Sequence, residues 1–401
     1  MNKPRIFINM HYMALGGAER ALLGLLNAID TEKVDVDLFL NQHTGEFMSF
    51  IPKKINLLPE KKGYNAIERP MKEILKEGQF RVLFGRLMGK WNHRQYYNKL
   101  TKQEKSFDSC ADQYVANSVN PFLPSLSYLG EYDLAISFLP PHNIVLNKID
   151  SKKKIAWIHT DYSTIHINTN LELPIWGGYD KIISISSDCS KGFLKKFPAL
   201  EDKIMEMENI LSSSFIKSEA NNGQALELGS YKGIKLLSIG RYDHAKNYDN
   251  VPYIFKKVLE QIPNAKWFII GYGSGKELIR QKIEDAGMQN HIILLGKKSN
   301  PYPFIKACDF YVQPSRYEGK SVTVREAQVL CKPVIITNYA TAKSQIKNGI
   351  DGIITPIDNE GCAQGIIDAI NNPQLIQSIV GYLQTHDYGN EREIEKIYNL
   401  L

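Results

Sequence analysis

Two carboxylates, Glu318 and Glu326, stand with seven residues between them in the stretch Tyr317-Glu-Gly-Lys-Ser-Val-Thr-Val-Arg-Glu326. This spacing suits a turn that opens into a helix. The Gly319, Lys320 and Ser321 segment can offer backbone N–H groups to an anion, with Glu326 about two turns along the helix that follows. A phosphorylated, hydroxyl-rich ligand would fit such a pair; two solvated glutamates flanking a loop would look the same in isolation. Upstream, the apolar run Leu236 to Ile239 leads into Gly240-Arg241, and a second cation, Lys246, follows. A strand end followed by glycine and two cations places positive charge at the carboxyl edge of a parallel sheet. Near the start, Arg5 to Met10 reads as a buried strand, and Gly16-Gly17 opens the helix that continues through Ile29. Two residues without Cβ let helix N–H groups reach a phosphate. His159 closes the apolar strand Lys154 to Ile158, where open α/β sheets put their ligands. Asp161, just beyond, either joins it or caps the next turn.

Taken in this order and separation, these elements resemble the family 4 retaining glycosyltransferases. The resemblance rests on Glu318-x7-Glu326, on Gly240-Arg241 with Lys246-Asn247, on Gly16-Gly17 and on His159. It implies the GT-B fold, an α/β architecture of two facing Rossmann-like, doubly wound domains with a C-terminal helix crossing back. It also implies transfer of a sugar from a nucleotide diphosphate sugar to an acceptor hydroxyl with retained anomeric configuration, in cell-surface polysaccharide or glycoconjugate synthesis. Carried over residue by residue, His159 and Glu318 would be the catalytic contacts to the donor sugar. Gly16, Gly17, Arg241, Lys246, Gly319, Lys320, Ser321, Val322, Thr323 and Glu326 would bind the nucleotide sugar. Arg241 and Lys246 would hold the diphosphate, and Glu326 the ribose hydroxyls. A UDP-sugar is the expected donor, with a glycan or lipid-linked acceptor and no separate cofactor. The chain departs from the family's usual wording at Lys320, where an apolar residue is frequent, which leaves the sugar open. A nucleotide-sugar epimerase or a non-catalytic nucleotide-sugar-binding protein of the same fold is the alternative. The glycine turn Gly271 to Gly275 also matches the family, and Lys298 lies where the family's backbone meets the nucleobase.

The elements that must position these residues alternate strand and helix, as a doubly wound sheet requires. At 401 residues, the length fits two domains at about 100–200 residues each. The expected division is a first domain over 1–210, a linker over 211–231 containing the run Ser212-Ser213-Ser214 and an Asn-Asn-Gly, a nucleotide-sugar domain over 232–380, and a terminal helix over 381–401 packing on the first domain. The first domain's strands are expected at 5–10, 34–40, 132–138, 154–158, 181–186 and 203–210. No Gly-x-Gly-x-x-Gly fingerprint follows a strand, which argues against an NAD enzyme. Asp35 and Asp37 form an Asp-x-Asp, yet the alternation Val34, Val36, Leu38 puts both acids on one face of an ordinary strand. They are read as structural and no metal site is expected.

Five scattered cysteines without paired spacing indicate neither a disulfide framework nor zinc, as expected of a cytoplasmic chain. No apolar run approaches the roughly 18 residues of a transmembrane helix. One region stands apart. Residues 61–105, within an expected helical insertion over 61–110, carry twelve basic and four acidic side chains, a difference of +8 against +6 for the whole chain. Apolar and aromatic residues are interleaved, so two readings stand: basic amphipathic helices on an anionic membrane surface, and a solvated helical hairpin on the first domain. Peripheral association with the inner face of the membrane follows from the first. Nothing resembles a nucleic-acid-binding motif.

Overall fold

The structure, a computed structural model, describes residues 3–319 and 321–401. Lys320 therefore lies outside the described residues. The chain divides into two compact units, Met1–Ile210 with Glu391–Leu401, and Leu211–Asn390.

The first unit is built on seven strands, β1 (Arg5–Met10), β2 (Asp35–Leu40), β3 (Asn56–Leu57), β4 (Tyr132–Ser137), β5 (Ser151–Ile158), β6 (Lys181–Ser184) and β7 (Ile204–Glu206). They pair in parallel in the order β3-β2-β1-β4-β5-β6-β7. Side chains alternate across the sheet. Ile6 and Ile8 join the core that the leucines of helix Gly17–Ala28 cover, whereas Phe7 joins the opposite core with Tyr64 and Tyr132. Burial on both faces explains why β1 reads as a continuous apolar run. The progression of strands reverses between β1 and β4, so the carboxyl ends of those two strands form the unit's topological switch point. The seventh strand stops at Glu206 instead of reaching 210, and β3 is too short to carry a sequence signal.

Asp37 has a structural task. Its carboxylate accepts from Tyr132 Oη at 2.6 Å, Asn56 Nδ2 at 2.6 Å and Arg5 at 3.2 Å, stitching β1, β2, β3 and β4 together at their amino ends.

The second unit holds β8 (Ile234–Ile239), β9 (Ala265–Ile270), β10 (Ile292–Gly296), β11 (Phe310–Gln313), β12 (Val334–Thr337) and β13 (Ile353–Thr355). The order is β10-β9-β8-β11-β12-β13, again parallel, with the reversal between β8 and β11. Leu236 and Leu237 enter opposite cores, so helices cover both faces here too.

Three expectations are corrected. Residues 211–231 are not a linker: helices occupy Ser213–Asn221 and Leu226–Gly229, and Ile216, Ala220 and Leu228 are buried in the second unit's core. The serine cluster that suggests a flexible joint is a cap, with Ser212 Oγ accepting from Phe215 N at 3.3 Å. The terminal segment 381–401 is not one helix. The helix Pro373–Thr385 ends, Asp387 takes Ser213 Oγ and Gly389 N to turn the chain, and a 3-10 turn (Glu391–Ile394) and short helix (Glu395–Tyr398) return to the first unit. There Ile394 and Ile397 enter the core, and Tyr398 Oη accepts from Asp30 N at 2.7 Å. The helical insertion also runs past 110. It comprises Met71–Lys76, Phe80–Tyr97, Lys102–Ser106 and Ala111–Val119, because the last of these is the helix against which Phe80–Tyr97 packs.

Candidate functional site

In the second unit, two loops meet at the switch point. The loop after β8 carries Arg241 and Lys246, while β11 ends at Gln313 and the loop after it carries Ser315 and Glu318. Glu318 is the hub. Its Oε1 accepts from Lys246 Nζ at 2.6 Å, Ser315 Oγ at 2.6 Å and Gln313 Nε2 at 2.9 Å. The Lys246 and Glu318 side chains are only 17% and 11% exposed, so their charges interact through a medium less screening than bulk water.

Local sequence places Lys246. A Cβ on Gly240 would sit 2.9 Å from Lys246 Cε and from Tyr248 Oη, so glycine clears the path of the lysine stem. Asp243 caps the 3-10 turn His244–Lys246 by accepting from Lys246 N at 3.2 Å. Asn247 then adopts φ of 61°, a left-handed conformation that asparagine tolerates, and its Nδ2 donates to Pro314 O at 2.9 Å. Arg316 clamps Asp249 in a two-pronged pair at 2.8 and 2.7 Å. Together these bonds fix one loop against the other. The glycine turn Gly271 to Gly275 has a packing reason: a Cβ on Gly273 or Gly275 would lie 2.8 or 2.7 Å from Tyr242 O.

Beyond the hub, Ser321 is the N-cap residue of the helix Val322–Val329. The first N–H groups of that helix lack intrahelical acceptors and favour an anion. Thr341 Oγ1 donates to the carbonyls of Glu318 and Gly319 at 3.0 and 2.7 Å, and Gln345 Nε2 reaches Ser321 O at 3.3 Å, so the turn is braced from behind. Thr323 Oγ1 accepts from Tyr311 Oη at 2.8 Å. Glu326 is the fifth residue of the helix, closer to its start than two turns, and is fully buried with Tyr302 Oη 3.1 Å from its Oε1. Arg241 stays exposed, 3.7 Å from Asp243, and does not join Lys246 at the hub. Lys298 pairs with Glu227 at 2.6 Å.

The first unit has its own cluster at the carboxyl edge of its sheet, where His11 follows β1, His142 follows the loop after β4, and His159 follows β5. His142 Nδ1 meets Ser137 Oγ at 2.7 Å, and burial lowers its pKa well below the ordinary histidine value. Burial also pushes His159 down to about 4, against a weaker opposing hydrogen bond at the Phe138 backbone. Its ring stacks on Trp157, and its Nε2 is buried without a hydrogen-bond partner among the described residues. A neutral imidazole with a free nitrogen suits a sugar hydroxyl better than a phosphate. At His11, burial works downward, but the hydrogen bond and charge of Glu68 outweigh it and the pKa is raised. Gly16 begins the helix Gly17–Ala28, and the space of its missing Cβ is taken by the Glu19 carboxylate; only Gly17 has an open side. Asp161 accepts from Ser163 N at 2.9 Å, which makes it a turn cap.

The residues that the sequence did not flag are Gln313, Ser315, Tyr302, His11 and His142. Four of them follow or end strands, or sit in the loops between them, and polar side chains at strand ends beside a chain reversal were the available signal.

The family model for Glycosyl transferases group 1 matches residues 227–384. Over 99% of this chain and 98% of the other, the structure superposes on Anabaena HepE in complex with UDP and glucose, with a TM-score of 0.64 at 15% identity. The chain has the GT-B fold, and residues 227–384 of its second unit match the group 1 glycosyltransferases. An uncharacterized glycosyltransferase of Methanocaldococcus jannaschii is 30% identical over 57% of this chain and 59% of its own length. A second relative of this GT-B protein is the N-acetylgalactosamine-N,N'-diacetylbacillosaminyl-diphospho-undecaprenol 4-alpha-N-acetylgalactosaminyltransferase of Campylobacter jejuni. It is 27% identical over 39% of this chain and 42% of its own. The chain thus spans less than two thirds of the length of both relatives. Among the described residues no helix is long and apolar enough to cross a membrane.

One consequence of the histidine cluster is measurable. The folded pKa of His159 lies below the ordinary 6.5, so the unfolded chain binds its proton first as pH falls. The stability that neutral burial contributes is complete above about 6.5 and is lost on the way down to about 4. In a proton-detected histidine titration, His159 should remain neutral at pH 5. A midpoint near 6.5 would mean that the ring is solvated.

Proposed function

We propose that this GT-B protein is a retaining glycosyltransferase that moves a sugar from a UDP-sugar to a hydroxyl of a glycan acceptor in the assembly of cell-surface polysaccharide or glycoconjugate. The observation that carries the reading is the Lys246–Glu318 hub at the switch point of the second sheet, next to a braced helix N-terminus. In this reading Lys246 and Arg241, with the N–H groups near Ser321, Val322 and Thr323, take up the charge of the leaving diphosphate. Preorganised donors of that kind are each worth about 3–4 kcal/mol of transition-state stabilisation. Gly17, at the open start of its helix in the first unit, offers an N–H to a phosphate. Glu326 accepts from the ribose hydroxyls once the ligand displaces what covers it. Glu318 holds a hydroxyl of the transferred sugar, and neutral His159 offers its free nitrogen to a sugar hydroxyl at the carboxyl edge of the first sheet.

Retention follows from attack on the same face. The bond from the anomeric carbon to the phosphate oxygen breaks, the bond to the acceptor oxygen forms, and the acceptor's proton passes to the departing phosphate oxygen. The cations and helix N-terminus supply the charge that a metal would otherwise bring, so the reaction is metal-independent. The name of the Campylobacter relative supports a lipid-linked acceptor. With the basic segment 61–105, it also supports a peripheral place at the inner face of the membrane.

A melting screen against UDP-, GDP-, ADP- and CDP-sugars tests the donor. A ligand at about 100 times its dissociation constant adds about 2.7 kcal/mol to native stability, and UDP-sugars should give the largest shift. Product analysis with the selected donor should return the α-linked sugar from an α-donor, in EDTA as in buffer. An inverted product overturns retention, and activity lost in EDTA and restored by magnesium overturns the metal-free mechanism.

A further inference from the structure

The helix Phe80–Tyr97 buries one face and leaves the opposite, apolar face exposed. One face is spent inside the protein: Val82, Gly85, Arg86 and Gly89 are buried. A Cβ at Gly85 would lie 3.0 Å from Val119 Cα, and one at Gly89 2.6 Å from Val115 Cα, so the two glycines let this helix seat directly on the backbone of Ala111–Val119. Arg86 belongs to that inner face. It donates to Ala66 O at 3.0 Å and to Arg69 O, and burial lowers its pKa, so it is not one of the surface cations that the charge count suggests.

At about 100° per residue, Phe80, Phe84, Leu87 and Trp91 fall on the side directly opposite. They are 52–63% exposed, which is unusual for four large apolar side chains in one stripe. The helix contains no Asp or Glu, and Arg81, Lys90 and Arg94 are exposed along it. The neighbouring helix Met71–Lys76 adds exposed Leu75 between exposed Lys72 and Lys76. Along the helix Phe80–Tyr97 the apolar stripe is edged by cations alone, and the exposed acids of the neighbouring helix end, Glu73 and Glu77, are both paired with Arg69; such a stripe has the chemistry of a surface that enters the headgroup region of an anionic bilayer. A second copy is a poorer match, since face-to-face stripes would bring like charges together.

We propose that Phe80, Phe84, Leu87 and Trp91 insert into an anionic lipid surface as a rigid blade, with Arg81, Lys90 and Arg94 at the headgroups. This rests on the membrane-facing reading of 61–105 given above and says which side chains do it: the apolar stripe carries binding and the cations select the lipid. The insertion is also tied to the carboxyl edge of the first sheet. Glu68 pairs with His11 after β1, and Ser109 N donates to His166 O at 2.9 Å in the loop after β5. Lipid contact therefore fixes that edge relative to the bilayer plane, where the acceptor's lipid-linked sugar is presented.

The chain contains its own probe. Of its four tryptophans, Trp157, Trp176 and Trp267 are fully buried and Trp91 is 62% exposed. The full chain is mixed with vesicles of phosphatidylcholine alone or with a quarter phosphatidylglycerol, at low and high salt. The expected result is a blue shift of Trp91 emission and co-flotation with the anionic vesicles. Phe84→Gln with Leu87→Gln should lower partitioning by about tenfold or more at low salt, and Arg81→Gln with Lys90→Gln should remove the preference for anionic lipid. Wild-type partitioning by the Phe84/Leu87 variant at low salt overturns the blade. So does a concentration-dependent dimer, without lipid, that the same variant abolishes. Melting shifts with UDP-sugars are read on every variant, so a failed donor assignment and a failed lipid assignment give different patterns.

Discussion

Lys246→Ala should lower kcat/KM for sugar transfer by about a hundredfold to a thousandfold while the protein keeps its fold. The ammonium is proposed to meet negative charge that grows on the diphosphate as the glycosidic bond breaks, in a setting where both Lys246 and its partner are largely shielded from water. Removing one member of a buried pair commonly destabilises, because the other is left uncompensated. Here Glu318 retains Ser315 Oγ and Gln313 Nε2 as donors, so the melting temperature should fall modestly. Arg241→Ala should reduce turnover as well, with no change in melting, since its side chain is 77% exposed. Gly240→Ala offers a subtler check: its methyl group would intrude on the lysine stem and on Tyr248 Oη, lowering turnover without deleting a charge. Turnover and melting are measured on the same preparations. Near-normal turnover in folded Lys246→Ala removes the diphosphate assignment.

Much of the fold was readable because the strands of a parallel sheet, buried on both faces, leave apolar runs such as Ile6-Phe7-Ile8 and Leu236-Leu237. Their carboxyl ends in turn pointed to Arg241, Lys246 and His159. The pairing of Lys246 with Glu318 was beyond the sequence, because 72 residues separate them and only the reversal between β8 and β11 brings their loops together. Gln313 and Ser315 were missed for a related reason. A single amide or hydroxyl after a strand has no periodicity, and its value lies in a partner elsewhere in the chain. The serines at 212–214 were misread because cap residues and linker residues share a composition, and only the apolar spacing of Ile216 and Ala220 tells them apart.

The insertion illustrates a different limit. Amphipathicity identifies a buried face when the other face is polar, but Phe80–Tyr97 turns its large apolar residues outward and buries a face of Val82, two glycines and Arg86. Charge counting then put Arg86 on the surface, although two backbone carbonyls hold it inside. The deciding residues were the smallest. Gly85 and Gly89, four apart, mark the face that approaches another helix, and by elimination the aromatic face is the one left uncovered.

Glu318 and Glu326, which look equivalent in the sequence, should separate in calorimetry. Glu326→Gln keeps an oxygen that Tyr302 Oη can still reach, yet removes the charge offered to a ribose hydroxyl. Hydrogen bonds to charged groups contribute about 1.5–3 kcal/mol, so UDP should bind roughly tenfold to a hundredfold more weakly. Glu318→Gln acts in the opposite direction on bare nucleotide. Glu318 compensates the Lys246 charge at 2.6 Å, and neutralising it leaves a fuller positive charge for the diphosphate, so UDP should bind as well as to the wild type or more tightly. Turnover of the intact UDP-sugar should nevertheless fall, because the carboxylate proposed to hold the sugar's hydroxyls is gone. The two variants thus part in UDP affinity, which falls only for Glu326→Gln, and agree in lowering turnover. Equal weakening of UDP by both would place both carboxylates on the nucleotide and leave the donor sugar without its contact in the second unit.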